Sequence, residues 1–370
     1  MYPYVFFPLF ISIVFFSYEK LNNQFKTDEL KVVCRMFLIT ASFLFSAFYA
    51  WREIYEGFGG IDADTYKAVY DRLSLNYFEA LNQQRYEKGY GTLVWLFKYL
   101  FDSYEIFQLI YFLSMLFMYR LITKNLNGGA SSLISYFLIA FFLIISFNLS
   151  RMMLGVFLLF FVVKFLSEER YKEALLFTLI SSLIQMACLW GIVFIVYHYS
   201  LKKIKSRVAF ASLFVVIIAN SFLLVQLFKS ILVSVNYGHY VAESTEQFSG
   251  ANYIYAIFLS LVYYVFFRDR KCLSPLSHTI FQLLPTMLFI IPLYLAVPIA
   301  YRFNFIYILF FAFLIPDVIS YWRGGESMLV FRLLIVFVPV LYSLYKIINF
   351  YTRDVLSAEL WVMQSSFFIF

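Results

Sequence analysis

Residues 208–225 read VAFASLFVVIIANSFLLV, a run without a single charged side chain. A helix needs about 20 mainly apolar residues to cross the hydrocarbon core of a bilayer, and this run is nearly that long. A second continuous run, IAFFLIISF, occupies residues 139–147. Strands that cross a membrane alternate apolar and polar residues, which neither run does. Both stretches are therefore predicted to be membrane-spanning helices.

The composition extends this prediction to the whole chain. Of its 370 residues, 63% are hydrophobic and only 14% are charged, and the mean hydropathy is +0.79. A soluble domain carries about 25% charged residues. A chain of this length cannot hide so much apolar surface in soluble cores. We therefore predict an all-α, polytopic transmembrane protein and exclude a soluble globule.

The positive charges set the predicted orientation. Most of the 29 Lys and Arg residues stand in short clusters between apolar runs, such as Lys202, Lys203, Lys205 and Arg207. Such clusters mark cytoplasmic loops, so both termini are predicted to face outward and the net charge of +7 is not taken as nucleic-acid binding. About 12 spans are predicted, over residues 2–17 (an uncleaved first span), 36–50, 104–121, 131–147, 152–166, 173–186, 188–200, 208–226, 252–267, 278–297, 303–321 and 328–347.

One stretch strains this arrangement. No charged residue lies between Glu173 and Lys202, and a single helix of that length would be about 40 Å long. A single helix would also invert every later segment and place the lysine cluster outside. We therefore predict a tight break near Gln185 to Trp190.

The chain is predicted to form one integral membrane domain, residues 1–370, with two external segments at 51–103 and 229–251. Within the first segment, Tyr66, Val69, Tyr70 and Leu73 share one helical face. This spacing predicts interfacial helices that lie on the outer leaflet. The three cysteines are far apart and give no sign of a disulfide framework or a zinc site.

Two arginines stand at the outer edge of predicted spans. Arg151 follows Asn148-Leu149-Ser150, and Arg302 lies within Ala300-Tyr301-Arg302-Phe303-Asn304. Each could extend to the lipid headgroups as an ordinary interfacial arginine. A pair of guanidinium groups on one face also makes a good pyrophosphate clamp.

Carboxylates stand in the first external segment. Asp62 and Asp64 form a D-x-D and Glu87 follows later. Any of the three is a candidate general base for a sugar hydroxyl. Helix capping near Thr65 is the alternative for either aspartate. His239 is a further candidate base, although a solvated loop histidine is the simpler interpretation.

The chain resembles the EpsG/Wzy family of bacterial polysaccharide polymerases over nearly its whole length. Gly60-x-Asp62-x-x-x-Tyr66, Glu87-x-Gly89-Tyr90, Asn148-x-x-Arg151, the paired short spans around residue 185, and Arg302 carry the resemblance, in this order. A histidine is expected between the paired short spans, and Gln185 stands there instead.

The resemblance implies a GT-C-like glycosyltransferase of O-antigen, capsule or exopolysaccharide synthesis, in the bacterial inner membrane with its site facing the periplasm. It would transfer a growing chain from undecaprenyl pyrophosphate to the terminal hydroxyl of a lipid-linked oligosaccharide unit, in a membrane shared with a chain-length regulator. No cofactor or metal is expected, because lipid pyrophosphate is already a good leaving group. The implied base is Asp62, Asp64 or Glu87; the implied substrate and pyrophosphate binders are Arg151, Arg302, Arg85, Arg52 and Tyr66, with Gln185 and His239 as further candidates.

Three other functions are alternatives for a membrane protein of this kind. Another lipid-linked-sugar glycosyltransferase would need similar groups. A flippase for the same lipid-linked oligosaccharide would be expected to show internal repeats, which the sequence lacks. An acyltransferase would want a histidine at membrane depth, and the three histidines are poorly placed for that role.

Overall fold

The computed structural model describes residues 2–25, 27–52, 63–84, 87–126, 132–146, 150–203, 230, 273–290 and 303–321. Every regular element within these ranges is a helix and none is a strand, which confirms the all-α prediction. The α-helices are α1 (Tyr2–Gln24), α2 (Asp28–Ala50), α3 (Ala63–Arg72), α4 (Tyr77–Gln83), α5 (Lys88–Phe101), α6 (Tyr104–Thr123), α7 (Ser132–Ile145), α8 (Ser150–Ser167), α9 (Tyr171–Ile184), α10 (Trp190–Lys203), α11 (Pro275–Leu283) and α12 (Asn304–Tyr321). Among the described residues, 3-10 helices cover Met186–Leu189 and Leu284–Phe289.

Three described helices, α2, α6 and α8, are long and apolar enough to cross a membrane. Shorter apolar helices cover Ser132–Ile144 and Asn304–Asp317. The membrane prediction is therefore confirmed in its coarse form. The total of about 12 spans and the GT-C-like fold remain predictions, and the spans predicted at 208–226, 252–267 and 328–347 lie outside the described residues.

The span predicted at 278–297 remains a prediction, and the part of it that the structure describes is not a uniform α-helix. The α-helix α11 ends at Leu283, and a 3-10 helix follows over Leu284–Phe289. Pro285 stands at the start of this second helix. Proline has no backbone N–H and clashes with the preceding helical turn, which accounts for the change of geometry.

The described residues fall into two compact units. One unit holds those within Met1–Leu158, Ile180–Met186 and Phe311–Phe370, and the other holds those within Leu159–Leu179 and Ala187–Phe310. Each unit draws on separate stretches of the chain. The single membrane domain over residues 1–370 remains a prediction.

Apolar helices build the core of the first unit. Helix α1 packs against α2 and α7, and α2 packs along α6. Aromatic rings fill these interfaces: Tyr49 stacks on Phe112 with ring centroids 4.3 Å apart, and Phe15 meets Tyr119 edge-on at 5.1 Å. All four side chains are buried.

The predicted helices of the first external segment are present as α3, α4 and α5. Tyr70 and Leu73 from the predicted apolar face are buried in a cluster that includes Tyr90 and Phe107. Burial, together with nearby carboxylates of Asp102, Glu105 and Asp71, raises the pKa of Tyr70 to about 12. Its hydroxyl therefore stays protonated and donates to the Ser103 carbonyl at 3.1 Å, which ties α3 to the start of α6.

The predicted break in residues 173–200 is confirmed. Helix α9 ends at Ile184, and α10 begins at Trp190 after the 3-10 turn. In the second unit, the start of α9 lies beside the end of α10, because the Tyr171 hydroxyl is 3.1 Å from His198 Nδ1. Glu169 and Lys202 also pair there at 2.6 Å. The two helices are therefore antiparallel.

Candidate active site

Glu87 lies at the centre of the candidate site. It immediately precedes α5, with φ −58° and ψ 139°, and its side chain does not cap that helix. The carboxylate turns away instead: Oε2 forms an ion pair with Nη1 of Arg151, and Oε1 accepts a hydrogen bond from the Met186 backbone N–H at 2.9 Å. Only 10% of the Glu87 side chain and 14% of the Arg151 side chain are exposed.

Arg151 is positioned by the first turn of α8. The Tyr111 hydroxyl donates to the carbonyl of the preceding residue, Ser150, at 2.6 Å. The Tyr49 hydroxyl donates to the carbonyl of Ser146, just past the end of α7, at 3.2 Å. The two tyrosine rings lie 6.2 Å apart. Helices α2 and α6 thus hold both sides of the connection that leads to Arg151.

A glycine permits the close approach of α5 and α9. A Cβ atom added to Gly89 would lie 2.6 Å from both the Cβ and the carbonyl oxygen of Leu183. One of these atoms belongs to the backbone, so it cannot turn aside. Gly89 therefore lets the start of α5 approach the end of α9. The Met186 N–H, just past that end, donates to the Glu87 carboxylate.

Gln185 lies next to the site. It sits between the end of α9 and the 3-10 turn and is 9% exposed. Its Oε1 atom is buried without a hydrogen-bond partner among the described residues. An unsatisfied buried acceptor is costly, and a catalytic role is one of the reasons that such a group is kept in a native protein. This oxygen can accept a hydrogen bond from an incoming hydroxyl.

The electrostatic character of the site follows from its low exposure. Charges that are shielded from water interact strongly, and removing one leaves the other uncompensated. Glu87 neutralises Arg151, and the Met186 N–H satisfies the second carboxylate oxygen. The site therefore holds a cation, Arg151, whose partner is a carboxylate of the same chain. An anionic substrate could take the place of this carboxylate on Arg151.

Three other predicted residues are described, and their contacts differ from those of the pair. Asp64 lies in the first turn of α3 and accepts from the Thr65 N–H at 2.6 Å, a local contact in place of the predicted cap. Tyr66 packs against Tyr90 with ring centroids 6.4 Å apart. Arg52 is buried, with its guanidinium 4.1 Å from the centre of the Tyr49 ring.

Arg52 also donates to the Tyr49 carbonyl at 2.6 Å and reaches Gln108 Oε1 at 3.5 Å. These contacts suit a packing role, and pyrophosphate binding by Arg52 remains a prediction. Four further candidates, Asp62, Arg85, His239 and Arg302, lie outside the described residues. Their predicted roles also remain predictions.

No group of three or more His, Cys, Asp or Glu side chains that could hold a metal ion occurs in the described part of the chain. The expectation that the reaction needs no metal stays a prediction.

Sequence reasoning named Glu87, Arg151 and Gln185 separately but missed what joins them. The Met186 backbone N–H was not a candidate, because a backbone donor leaves no trace in residue identity. Gly89 was the available signal, since a glycine can mark the close approach of two backbone segments. Nothing in the sequence indicated that Leu183 would be the residue approached.

The fold and the site define a class of protein: a helical membrane protein that holds a carboxylate and a guanidinium at the ends of apolar helices. A family model described as the EpsG family matches residues 35–364. The chain belongs to the EpsG family, which confirms the resemblance found in the sequence. The family suggests a polysaccharide polymerase-like function and is associated with glycosyltransferase-like polymerases. No curated protein and no solved structure matches the chain.

Proposed function

We propose that this protein is a polymerase of the bacterial inner membrane that joins oligosaccharide units carried on undecaprenyl pyrophosphate. The observation that carries the proposal is the shielded Glu87–Arg151 pair, held at the ends of α5, α8 and α9. A transfer from lipid pyrophosphate needs a base for the attacking hydroxyl and a cation for the leaving group. This pair supplies one of each.

The proposed reaction is a block transfer. The hydroxyl oxygen of the acceptor unit forms a bond to the anomeric carbon of the growing chain. The bond from that carbon to the pyrophosphate oxygen breaks, and its electron pair leaves with the lipid pyrophosphate. The hydroxyl proton passes to the Glu87 carboxylate. Arg151 stabilises the negative charge that grows on the leaving pyrophosphate.

The remaining candidates have subordinate roles in this proposal. Gln185 accepts a hydrogen bond from a sugar hydroxyl through its buried Oε1 atom. Asp62 and Asp64 are alternative bases. Arg302 is a second pyrophosphate binder, as the two arginines share one predicted face of the membrane.

The distribution of charge supports a site that faces the periplasm. Arg151 and Glu87 lie where α8 begins and α9 ends. Basic residues gather at the opposite ends of these helices, at Lys164 near the end of α8 and at Arg170 before the start of α9. Positive residues favour the cytoplasmic side, so the Glu87–Arg151 end is proposed to face outward. The lipid-linked oligosaccharide and a chain-length regulator are the proposed partners in that membrane.

The test is a surface-polysaccharide ladder from cells that lack the gene and carry a plasmid copy. Arg151→Ala and Glu87→Gln are each expected to collapse the ladder to one repeat unit on its lipid. Arg151→Lys keeps the charge but loses the planar fork, so it is expected to restore only part of the ladder. The matched control is Arg170→Ala, since Arg170 also pairs with glutamates but is 48% exposed.

Each outcome has a distinct meaning. Single units that reach the outer face without being joined support a polymerase. Units that accumulate on the cytoplasmic face support a flippase and contradict the proposal. A full ladder from both variants, with the proteins present at normal levels, removes Glu87 and Arg151 from the mechanism.

A further inference from the structure

We propose that Arg151 and the Met186 backbone N–H form a binding site for one phosphoryl group of the lipid pyrophosphate, which Glu87 occupies until the donor arrives. The inference rests on the proposed function, because its ligand is the proposed donor. To that function it adds a backbone hydrogen-bond donor for the pyrophosphate and an order in which donor binding precedes proton transfer. Donor binding displaces the carboxylate, and only then is Glu87 available as a base.

The two oxygens of Glu87 are held by donors from two different parts of the chain. Oε2 pairs with Arg151 Nη1 at the start of α8, and Oε1 accepts from the Met186 N–H after the end of α9, at 2.9 Å. Arginine recognises carboxylates and phosphates through the same planar fork of N–H groups. The Glu87 carboxylate therefore occupies the place of a phosphoryl group. Two phosphoryl oxygens would accept from the same two donors, Arg151 and the Met186 N–H.

A second observation points independently to a ligand with hydrogen-bond donors. The buried Oε1 of Gln185, one residue from Met186, has no hydrogen-bond partner among the described residues. A carboxylate cannot satisfy this oxygen, because it has no proton to donate. A glycosyl pyrophosphate carries sugar hydroxyls next to its phosphoryl groups and can donate one. The donor thus completes hydrogen bonding that Glu87 leaves incomplete.

The exchange has a simple electrostatic reason. Arg151 is shielded and must keep an anionic partner to avoid a large desolvation cost. The more highly charged pyrophosphate can replace Glu87 without ever leaving the guanidinium uncompensated. The freed carboxylate is then close to the anomeric carbon of the bound donor.

The first experiment measures binding of farnesyl pyrophosphate to the purified full chain in detergent, with farnesol as the uncharged comparison. Glu87→Gln removes the competing anion and is expected to tighten farnesyl pyrophosphate binding about 10-fold, the size expected for one charge-assisted hydrogen bond. Farnesol binding is expected not to change. The matched control is Glu79→Gln, because Glu79 belongs to the same external segment but contacts Ser74 at 2.8 Å. Unchanged or weaker binding to Glu87→Gln overturns the proposal.

The second experiment tests the backbone donor and does not depend on the first variant being folded. Met186→Pro removes the N–H, and proline is well tolerated at the first position of a helix. Met186→Ala keeps the N–H and controls for the lost side chain. We expect Met186→Pro to bind farnesyl pyrophosphate about 10-fold more weakly than Met186→Ala. Equal binding by the two variants overturns the assignment of the N–H.

Both experiments read equilibrium binding, so they are separate from the ladder assay. A Glu87→Gln protein that binds farnesyl pyrophosphate more tightly but polymerises normally supports the exchange site and contradicts the proposed base. A Glu87→Gln protein that binds farnesyl pyrophosphate no more tightly than the wild type and still gives a full ladder contradicts both proposals.

Discussion

Each charge of the Glu87–Arg151 pair is acceptable next to apolar helices only because the other is present. Removing one partner of a buried ion pair typically costs about 3–5 kcal/mol, whereas replacing both by apolar residues can be neutral. Loss of polymerisation in Arg151→Ala therefore needs a folding control. The double variant Glu87→Leu with Arg151→Leu supplies it, since we expect it to be folded and inactive.

Gln185 offers a contrast between stability and activity at a single residue. Gln185→Leu keeps most of the volume and removes a buried acceptor that has no partner among the described residues. We expect the variant to be more stable by about 1 kcal/mol, because an unsatisfied buried polar atom is costly. We also expect a shorter polysaccharide ladder, because the acceptor for a sugar hydroxyl is lost.

Thermal unfolding in detergent and the ladder assay together check this prediction. Gln185→Asn is the control that keeps a neutral amide acceptor. A less stable Gln185→Leu protein with a normal ladder would show that the oxygen matters to the fold alone.

A packing role and a pyrophosphate-binding role of Arg52 predict different results. Its guanidinium lies over the Tyr49 ring and donates to the Tyr49 carbonyl. Arg52→Lys keeps the charge but cannot stack in the same way, so we expect a loss of about 1–2 kcal/mol of stability. We expect a normal polysaccharide ladder from cells in which the Arg52→Lys protein is present at normal levels.

Thermal unfolding of Arg52→Lys is compared with that of Arg35→Lys, an exposed arginine on α2, the helix that ends just before Arg52. A collapsed ladder with unchanged thermal stability would instead make Arg52 a pyrophosphate binder.

At the scale of elements, the site depends on how closely α5 approaches α9. Gly89→Ala places a Cβ within 2.6 Å of the Leu183 backbone carbonyl, so one helix must shift. Such overpacking typically costs about 1–3 kcal/mol. We expect Gly89→Ala to separate Glu87 from Met186 and to abolish most polymerisation.

Gly91→Ala on the same helix is the matched control. The three atoms nearest to its added Cβ belong to the side chains of Gln84 and Leu81, the closest at 2.9 Å, and none belongs to the backbone. We expect this variant to retain a ladder close to that of the wild type. Equal losses in both variants would show that any added atom on α5 is harmful, and that the approach to Leu183 is not special.

The elements were largely predictable because apolar runs and charge gaps are local properties. The break after Gln185 followed from the missing charges between Glu173 and Lys202. Pro285 is a local signal of the same kind, because proline disfavours a regular α-helix through this part of the predicted span. The ion pair was beyond reach, because it joins residues 64 positions apart and no local pattern connects them.

At the scale of the whole molecule, the antiparallel arrangement of α9 and α10 agrees with basic residues gathered on one side of the membrane. Glu169 before α9 pairs with Lys202 at the end of α10, so these two helix ends lie together. The basic residues around them are then expected on one side of the membrane, the cytoplasmic side.

Cysteine labelling tests this orientation. In a chain with Cys34, Cys188 and Cys272 replaced by alanine, Glu79→Cys is expected to react with an impermeant maleimide in intact spheroplasts. Lys172→Cys and Lys203→Cys are expected to react only after the membrane is opened. Reaction of Lys172→Cys and Lys203→Cys from opposite sides would contradict two passes by α9 and α10.

The two tyrosine hydroxyls that hold Ser146 and Ser150 have one more consequence. They fix the carbonyls on both sides of residues 147–149 to helices α2 and α6. Because the carbonyls of Ser146 and Ser150 are both anchored, we expect a change in the number of residues between them to disturb the site. A codon inserted or deleted here would rotate Arg151 about the axis of α8 or pull one carbonyl from its tyrosine. We therefore expect substitutions in this connection to be tolerated better than insertions or deletions.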